Sequence, residues 1–322
     1  MVLPRDAKSV TLDKSMAYSK VIVTGGAGFI GSHLVDALVA KGCQVVVLDK
    51  EAPNEERRNV AAKYEQCDIR DAVVREIFIT EQPEVVFHLA AHVDDRESVK
   101  EPVMNAENNI IGSLNVFEAA RLVGIKKIIF PSTSVVYGSA EMRPTSEDEL
   151  PKPLTPYAVS KLAGERYLHC YRALYGVDYV ALRLSNVYGP RQDGSKECGA
   201  MAIFTSKLLA GEPVKMNNDG LTTRDYVYVS DVIEAMLAAA ESEATGVYNI
   251  GTGVATSTNE LLAMVVKELG VMPEIVARPE VMDEVKHVAL EATKAKNEFS
   301  WTPQVRLADG LASTIAWYKA RL

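Results

Sequence analysis

The chain of 322 residues is 48% hydrophobic and 24% charged, with a formal net charge of −8, and is long enough for one large domain or two intimately joined ones. The acidic balance excludes nucleic acid or an anionic membrane as a default partner, and no run reaches the roughly 20 apolar residues that span a bilayer. Its four cysteines, Cys43, Cys67, Cys170 and Cys198, show no CxxC spacing and no histidine cluster, which argues against a metal site or disulfide framework and for a reducing, cytoplasmic setting.

The opening MVLPRDAKSVTLDKSMAYSK has no apolar core of the kind a signal peptide carries, and residues 1–18 read as a flexible extension. From Val21 onward, short β-branched runs alternate with helical patterns. Val21-Ile22-Val23, Val45-Val46-Val47-Leu48, Val85-Val86-Phe87, Ile128-Ile129-Phe130 and Tyr179-Val180-Ala181-Leu182 are apolar throughout, the pattern of buried parallel strands. Between them, Ile30, Leu34 and Leu38 share one helical stripe, and Ile110, Leu114, Phe117 and Ala120 another. This alternation predicts an α/β fold with a doubly wound parallel sheet over residues 19–184. Beyond 185, turn-rich stretches such as YGPRQDGSKECG and NNDGLTTRD predict a smaller lobe over residues 185–322. One strand near 247–250 is expected to return to the main sheet.

The first strand runs into TGGAGFIG, and that spacing suits a dinucleotide pyrophosphate. Gly25 makes the tight turn, Gly28 lets backbone approach the phosphates, Gly31 permits close helix–strand packing, and the helix opening at Phe29 and Ile30 supplies partial positive charge. Asp49 ends the second strand about twenty residues on, where an acid accepts bonds from the adenosine ribose and repels a 2′-phosphate, favouring NAD over NADP. Arg57 and Arg58 lie close enough to bear on that choice. Asp68 and Ile69 follow the third short strand and are candidates for the adenine side.

FPSTSVVYG places Ser132, Thr133 and Ser134 at the end of another strand, where ligands gather in open α/β sheets. The same hydroxyls could simply satisfy turn backbone. Downstream, TPYAVSK sets Tyr157 and Lys161 four apart on a helix beginning near Thr155, hence on one face. A phenol is a poor base at neutral pH, but a neighbouring ammonium favours its ionised form.

Taken together, TGGAGFIG, Asp49, FHLAA, STSVVYG, the Tyr157–Lys161 pair and RLSNVYGPRQ resemble the extended short-chain dehydrogenase/reductase family, whose sheet is of the Rossmann type. Within it the chain is most similar to the NAD-dependent nucleotide-sugar epimerases, from about Lys20 to the C-terminus. The resemblance implies a transient oxidation in which Tyr157 takes the proton of the sugar's 4-hydroxyl, Lys161 binds the nicotinamide ribose and Thr133 hydrogen-bonds the reacting oxygen. It also brings Leu89, Ala90 and Ala91 of FHLAA to the cofactor, and Ser134, Asn186, Arg191, Arg224 and Arg278 to a nucleotide-sugar, with a UDP-sugar as the expected substrate. In the related 4,6-dehydratases Asp-Glu follows the threonine. Here Ser134 and Val135 follow, and valine transfers no proton, which disfavours dehydration. Decarboxylation of a glucuronate-like substrate, a different epimerisation such as that of UDP-glucuronate, and net oxidoreduction stay open.

Two departures stand out. The stretch RPEVMDEVKHVALEATKAK lacks the glycine that usually follows a second diphosphate-binding arginine, so Arg278 and Lys286 are alternative candidates. Val288 falls where the family limits room for the sugar's 2-substituent, and its small size is expected to admit N-acetylhexosamines. The family habit of pairing through two helices predicts a homodimer, here through residues 110–121 and 157–175. His33, His169, His287, Trp301 and Trp317 have no partner constellation and read as structural.

Overall fold

A computed structural model describes residues 16–141, 143–194, 199–217, 219–278 and 285–321. In chain order it comprises β1 (Lys20–Thr24), α1 (Phe29–Ala40), β2 (Gln44–Asp49), β3 (Lys63–Gln66), α2 (Val73–Glu81), β4 (Val85–His88), α3 (Asp95–Lys100) and α4 (Pro102–Ala106). A π-helical turn, Glu107–Ile111, leads into α5 (Gly112–Leu122), followed by β5 (Lys127–Thr133), a 3₁₀ turn (Ser134–Tyr137), α6 (Pro156–Tyr175), β6 (Asp178–Leu184) and β7 (Asn186–Tyr188). Then come α7 (Ala200–Leu209), β8 (Val214–Asn217), β9 (Thr223–Tyr228), α8 (Val229–Glu241), β10 (Gly246–Ile250) and β11 (Ala255–Ser257). The chain ends with α9 (Thr258–Leu269), β12 (Ile275–Arg278), α10 (Thr293–Phe299) and α11 (Leu307–Lys319). Among the described residues no helix is long and apolar enough to cross a membrane.

Seven parallel strands form the main sheet in the order β10-β6-β5-β4-β1-β2-β3. The order reverses between β1 and β4, and that switch point opens a crevice at the carboxyl ends of the strands. Successive side chains point to opposite faces. Val21 and Val23 pack with Leu34 and Leu38 of α1 and with Val232 and Met236 of α8. Ile22 packs on the other face with Phe78 of α2, Phe117 of α5 and Leu168 of α6. Burial on both faces is why these strands read as unbroken apolar runs.

The remaining elements build a second core around Phe204, Tyr226, Leu261 and Ile315, with β11-β9-β7 and β12-β8 as small sheets. This lobe is not separable from the sheet. β10 pairs parallel to β6, Val247 opposite Ala181, and Ala295 and Phe299 of α10 join the main core, the Phe299 ring 5.2 Å from that of Tyr248 in β10. The N-terminal side needs one correction. Met16 and Tyr18, expected within the flexible extension, are buried: the Tyr18 ring lies 6.3 Å from that of Phe87, and the Tyr18 carbonyl accepts from Cys43 Sγ. Residues 1–15 lie outside the described residues.

Candidate active site

The loop after β1 is shaped by glycines. Gly25 has φ +72°, and a Cβ there would stand 2.6 Å from the Ala90 nitrogen; one on Gly31 would stand 2.2 Å from the Gly25 carbonyl oxygen. Gly28 differs: it caps α1 without a side-chain bond, and a Cβ on it would meet only the Gly25 oxygen, at 3.2 Å. Its outer side is open. The first N–H groups of α1, at Phe29, Ile30 and Gly31, have no helical acceptor and face this space as an anion site.

Asp49 closes one end of the loop. Its carboxylate accepts from Ala27 N–H (3.0 Å) and Glu51 N–H (3.1 Å), and burial raises its pKa against those two bonds. Arg57 donates to the Ala27 carbonyl (3.4 Å) and the Arg191 carbonyl (2.7 Å), while Arg58 lies over the Tyr64 ring. Arg70 holds the Asp68 carboxylate in a two-pronged contact and keeps its pKa low. Ile69 is buried against Gly112 of α5. Leu89, Ala90 and Ala91 run past the end of β4 beside Gly25, with Leu89 N–H on the Thr24 carbonyl and Ala90 N–H on the Thr24 hydroxyl.

The three hydroxyls divide their labour. Ser132 donates to Glu165 Oε1 (2.6 Å) and is structural. Thr133 ends β5 and accepts from Val135 N–H at 3.3 Å, a bond that leaves its own O–H hydrogen for another acceptor. Ser134 begins the 3₁₀ turn and is buried.

Thr155 caps α6 by accepting from Ala158 N–H, with Pro156 pre-set for the first helical position. Tyr157 follows, its N–H on Ser98 Oγ (3.2 Å). One turn on, Lys161 is 4% exposed. Its ammonium donates to the Pro131 carbonyl (2.8 Å) and sits 4.7 Å from the centre of the Phe130 ring. Burial pushes its pKa down to about 8, with Glu165 opposing. α6 therefore brings Tyr157 and Lys161 to the end of β5, where Thr133 stands.

On the lobe side, Asn186 pairs with Tyr226 and lies in the same small sheet as Arg224. Arg224 is near enough to Asp95 to draw its pKa down against burial, and Asp95 accepts from the Thr155 hydroxyl. Arg191, expected among the substrate contacts, is placed apart from these. It has φ +68° and pairs with Asp36 of α1 at 2.8 Å, on the dinucleotide side. The backbone of Arg278 ends β12, opposite Asn217; residues 279–284 lie outside the described residues. Lys286 lends its carbonyl to Thr223 N–H, and Val288 N–H donates to the Thr223 carbonyl.

Sequence reasoning passed over Asn109. Its side chain accepts from His92 N–H (2.7 Å) and donates to the His92 carbonyl (2.9 Å) and Ser160 Oγ (3.0 Å), and Ser160 donates to the Tyr157 carbonyl (2.8 Å). The available signal was the spacing of Asn105 and Asn109, one helical turn apart in PVMNAENNII; both are buried.

A glycine-walled anion site at a switch point, an acid at the end of the second strand, and a Tyr–Lys face beside a strand-end threonine define a dinucleotide-dependent enzyme acting on an alcohol carbon. Residues 21–251 match the model of the NAD dependent epimerase/dehydratase family. The chain is 42% identical over 308 residues to UDP-glucose 4-epimerase of Mycolicibacterium smegmatis, covering 93% of this chain and 98% of that one. It superposes with a TM-score of 0.92 and 42% identity on the Thermotoga maritima UDP-glucose 4-epimerase solved with UDP-glucose, over 94% of this chain and 99% of that one. Against the Thermus thermophilus UDP-glucose 4-epimerase in complex with NAD the TM-score is 0.89 at 39% identity, over 94% and 100%. The chain belongs to the NAD-dependent epimerase/dehydratase family. The open cradle at Gly28 and the acid at Asp49 fit that cofactor.

Proposed function

We propose that the chain is a UDP-sugar 4-epimerase that interconverts UDP-glucose and UDP-galactose. The observation that carries this reading is the buried ammonium of Lys161, bonded to the Pro131 carbonyl of β5 one turn from Tyr157 and two residues before Thr133. Gly25, Gly28, Phe29, Ile30 and Gly31 hold the pyrophosphate, Asp49 the adenosine ribose, Asp68 and Ile69 the adenine side, and residues 89–91 the inner wall of the groove. NAD, when bound, would supply the acceptor and then the donor of the C4 hydride. Lys161 binds the nicotinamide ribose and favours the ionised form of the Tyr157 phenol. Tyr157 takes the 4-hydroxyl proton and gives it back. Thr133, with its hydroxyl hydrogen still available, donates to the reacting oxygen. Ser134, Asn186 and Arg224 hold the sugar nucleotide, Arg224 offering its diphosphate a planar fork of donors. The substrates in the names of the similar proteins support the choice of UDP-glucose.

Dehydration is not favoured, because Ser134 and Val135 follow Thr133 and offer no acid–base pair. Purified protein incubated with UDP-, dTDP-, GDP- and CDP-sugars, with C4 configuration followed by NMR, tests the proposal. UDP-glucose and UDP-galactose are expected to interconvert without accumulation of NADH. Steady NADH release, or inertness toward both sugars, refutes it.

The active form is proposed to be a homodimer joined through α4, α5 and α6. Val103, Val159 and Leu174 there are 70%, 48% and 71% exposed, and a shallow groove lined by Pro102, Ala106, Ile110, Leu154 and Val159 runs between the helices. Sedimentation equilibrium checks it. Free Cys43, Cys67 and Cys170 fit a cytoplasmic setting.

A further inference from the structure

His88 ends β4 with no exposed surface, ringed by aromatics: stacked on Phe130 at 5.8 Å and edge-on to Phe117 at 5.6 Å. It has no carboxylate partner among its hydrogen bonds. Its Nδ1 lies 2.7 Å from Thr24 Oγ1 and its Nε2 lies 2.9 Å from Ser113 Oγ. The direction of each bond follows by elimination. Ser113 Oγ is 2.5 Å from the Asn109 carbonyl oxygen, which cannot donate, so the single Ser113 hydrogen is spent there. Ser113 must therefore accept from His88 Nε2–H. In a neutral ring Nδ1 is then bare, and the Thr24 hydroxyl donates to it while accepting from Ala90 N–H (3.1 Å). Burial, with Lys161 as the facing cation, keeps the ring neutral and pushes its pKa down to about 3.

The bonds form one line. It runs from Ala90 N–H through Thr24, His88 and Ser113 to the carbonyl of Asn109 in the π-helical turn. From the Asn109 side chain it continues through Ser160 to the Tyr157 carbonyl. One end touches the wall of the dinucleotide groove and the other holds the first turn of α6.

We propose that His88 is a positioning residue for the epimerisation, fixed as its neutral Nε2–H tautomer, and that it keeps the turn carrying Tyr157 in register with the dinucleotide-binding loop. The kinetic part rests on the proposed epimerase activity; the tautomer does not.

Two measurements test it. In holoenzyme with ¹⁵N-labelled histidine, the ring signals of His88, assigned by their loss in His88→Gln, are expected to show the Nε2–H form unchanged from about pH 6 to 9. A protonated Nδ1, or titration in that range, overturns the proposal. In kinetics, His88→Phe fills the aromatic pocket but gives Ser113 no donor, while His88→Gln restores an N–H there. With NAD content and melting temperature of the variants near wild type, His88→Phe is expected to lose about tenfold or more in kcat with little change in KM, and His88→Gln to recover most of it. Wild-type kcat in His88→Phe, or equal loss in both variants, overturns the proposal. If His88→Phe does not fold, the NMR result decides alone. A wild-type enzyme inert toward every sugar nucleotide sinks the functional reading, while the tautomer measurement still stands or fails independently.

Discussion

Glu165→Ala is the most informative single perturbation of the sheet's carboxyl edge. Glu165 and Arg183 are 2% and 3% exposed and meet through two parallel bonds, Arg183 Nε to Oε1 at 2.9 Å and Nη2 to Oε2 at 2.7 Å. Ser132 donates to the same carboxylate, and the guanidinium lies 4.7 Å from the centre of the Tyr137 ring. Removing the carboxylate strands a buried cation without its bonded anion, which costs about 3–5 kcal/mol, a large share of the roughly 5–15 kcal/mol that holds a native protein together. The melting temperature should fall by on the order of 10 °C. Replacing both partners, as in Glu165→Met with Arg183→Met, leaves no orphaned charge and should recover most of that loss. A second readout is kinetic. Glu165 raises the pKa of Lys161, so Glu165→Gln should move the alkaline limb of activity to lower pH. Scanning calorimetry and pH–rate profiles check both. A Glu165→Ala protein melting within about 2 °C of wild type would refute the reasoning.

Three further outcomes are expected. Tyr157→Phe should lower turnover by about 10²–10⁴ or more while purified protein still carries NAD, as read by absorbance after denaturation. Lys161→Met removes a buried ammonium whose pKa is lowered from 10.5 to about 8; between those values the unfolded chain binds more protons than the native one, so wild-type stability rises with pH there. The variant should lose activity yet gain stability below about pH 8, an advantage that fades toward pH 10.5 in melting curves across that range. Val288→Tyr should cut kcat/KM for UDP-N-acetylglucosamine by about tenfold or more while sparing UDP-glucose; poor turnover of the acetylated sugar by wild type, beside good turnover of UDP-glucose, counts against the valine argument.

What could be read from the sequence was local. The apolar runs of β1, β2, β4, β5 and β6 announce strands because helices cover both faces, and the glycine spacing announces the anion site because only glycine tolerates those backbone approaches. The Tyr157–Lys161 face needs nothing beyond helical periodicity. What could not be read depends on partners far along the chain. Arg191 reads as one more donor of a turn-rich motif, yet its pairing with Asp36, 155 positions earlier, takes it to α1. Met16 and Tyr18 read as tail because their immediate neighbours are polar; burial beside Phe87 is a tertiary fact. His88 sits inside FHLAA, but nothing local to that stretch tells that its ring reaches Thr24 and Ser113, 64 and 25 positions away. His33 and Trp301, read as structural, bond the Pro190 and Asp231 carbonyls.

The return of β10 to the edge of the main sheet bears on how such proteins can be rearranged. Because Val247 ladders onto Ala181 and Phe299 packs edge-on against Tyr248 of β10, a cut after residue 185 would strip a strand and a packing helix from the N-terminal fragment. Shuffling specificity between relatives by exchanging whole halves therefore transplants part of the scaffold with the pocket. Grafts confined to short stretches, such as 186–188 with 223–228, keep the main sheet whole and are the better unit of exchange, provided that the core residues Tyr188, Tyr226 and Val227 and the buried Asp225 are kept.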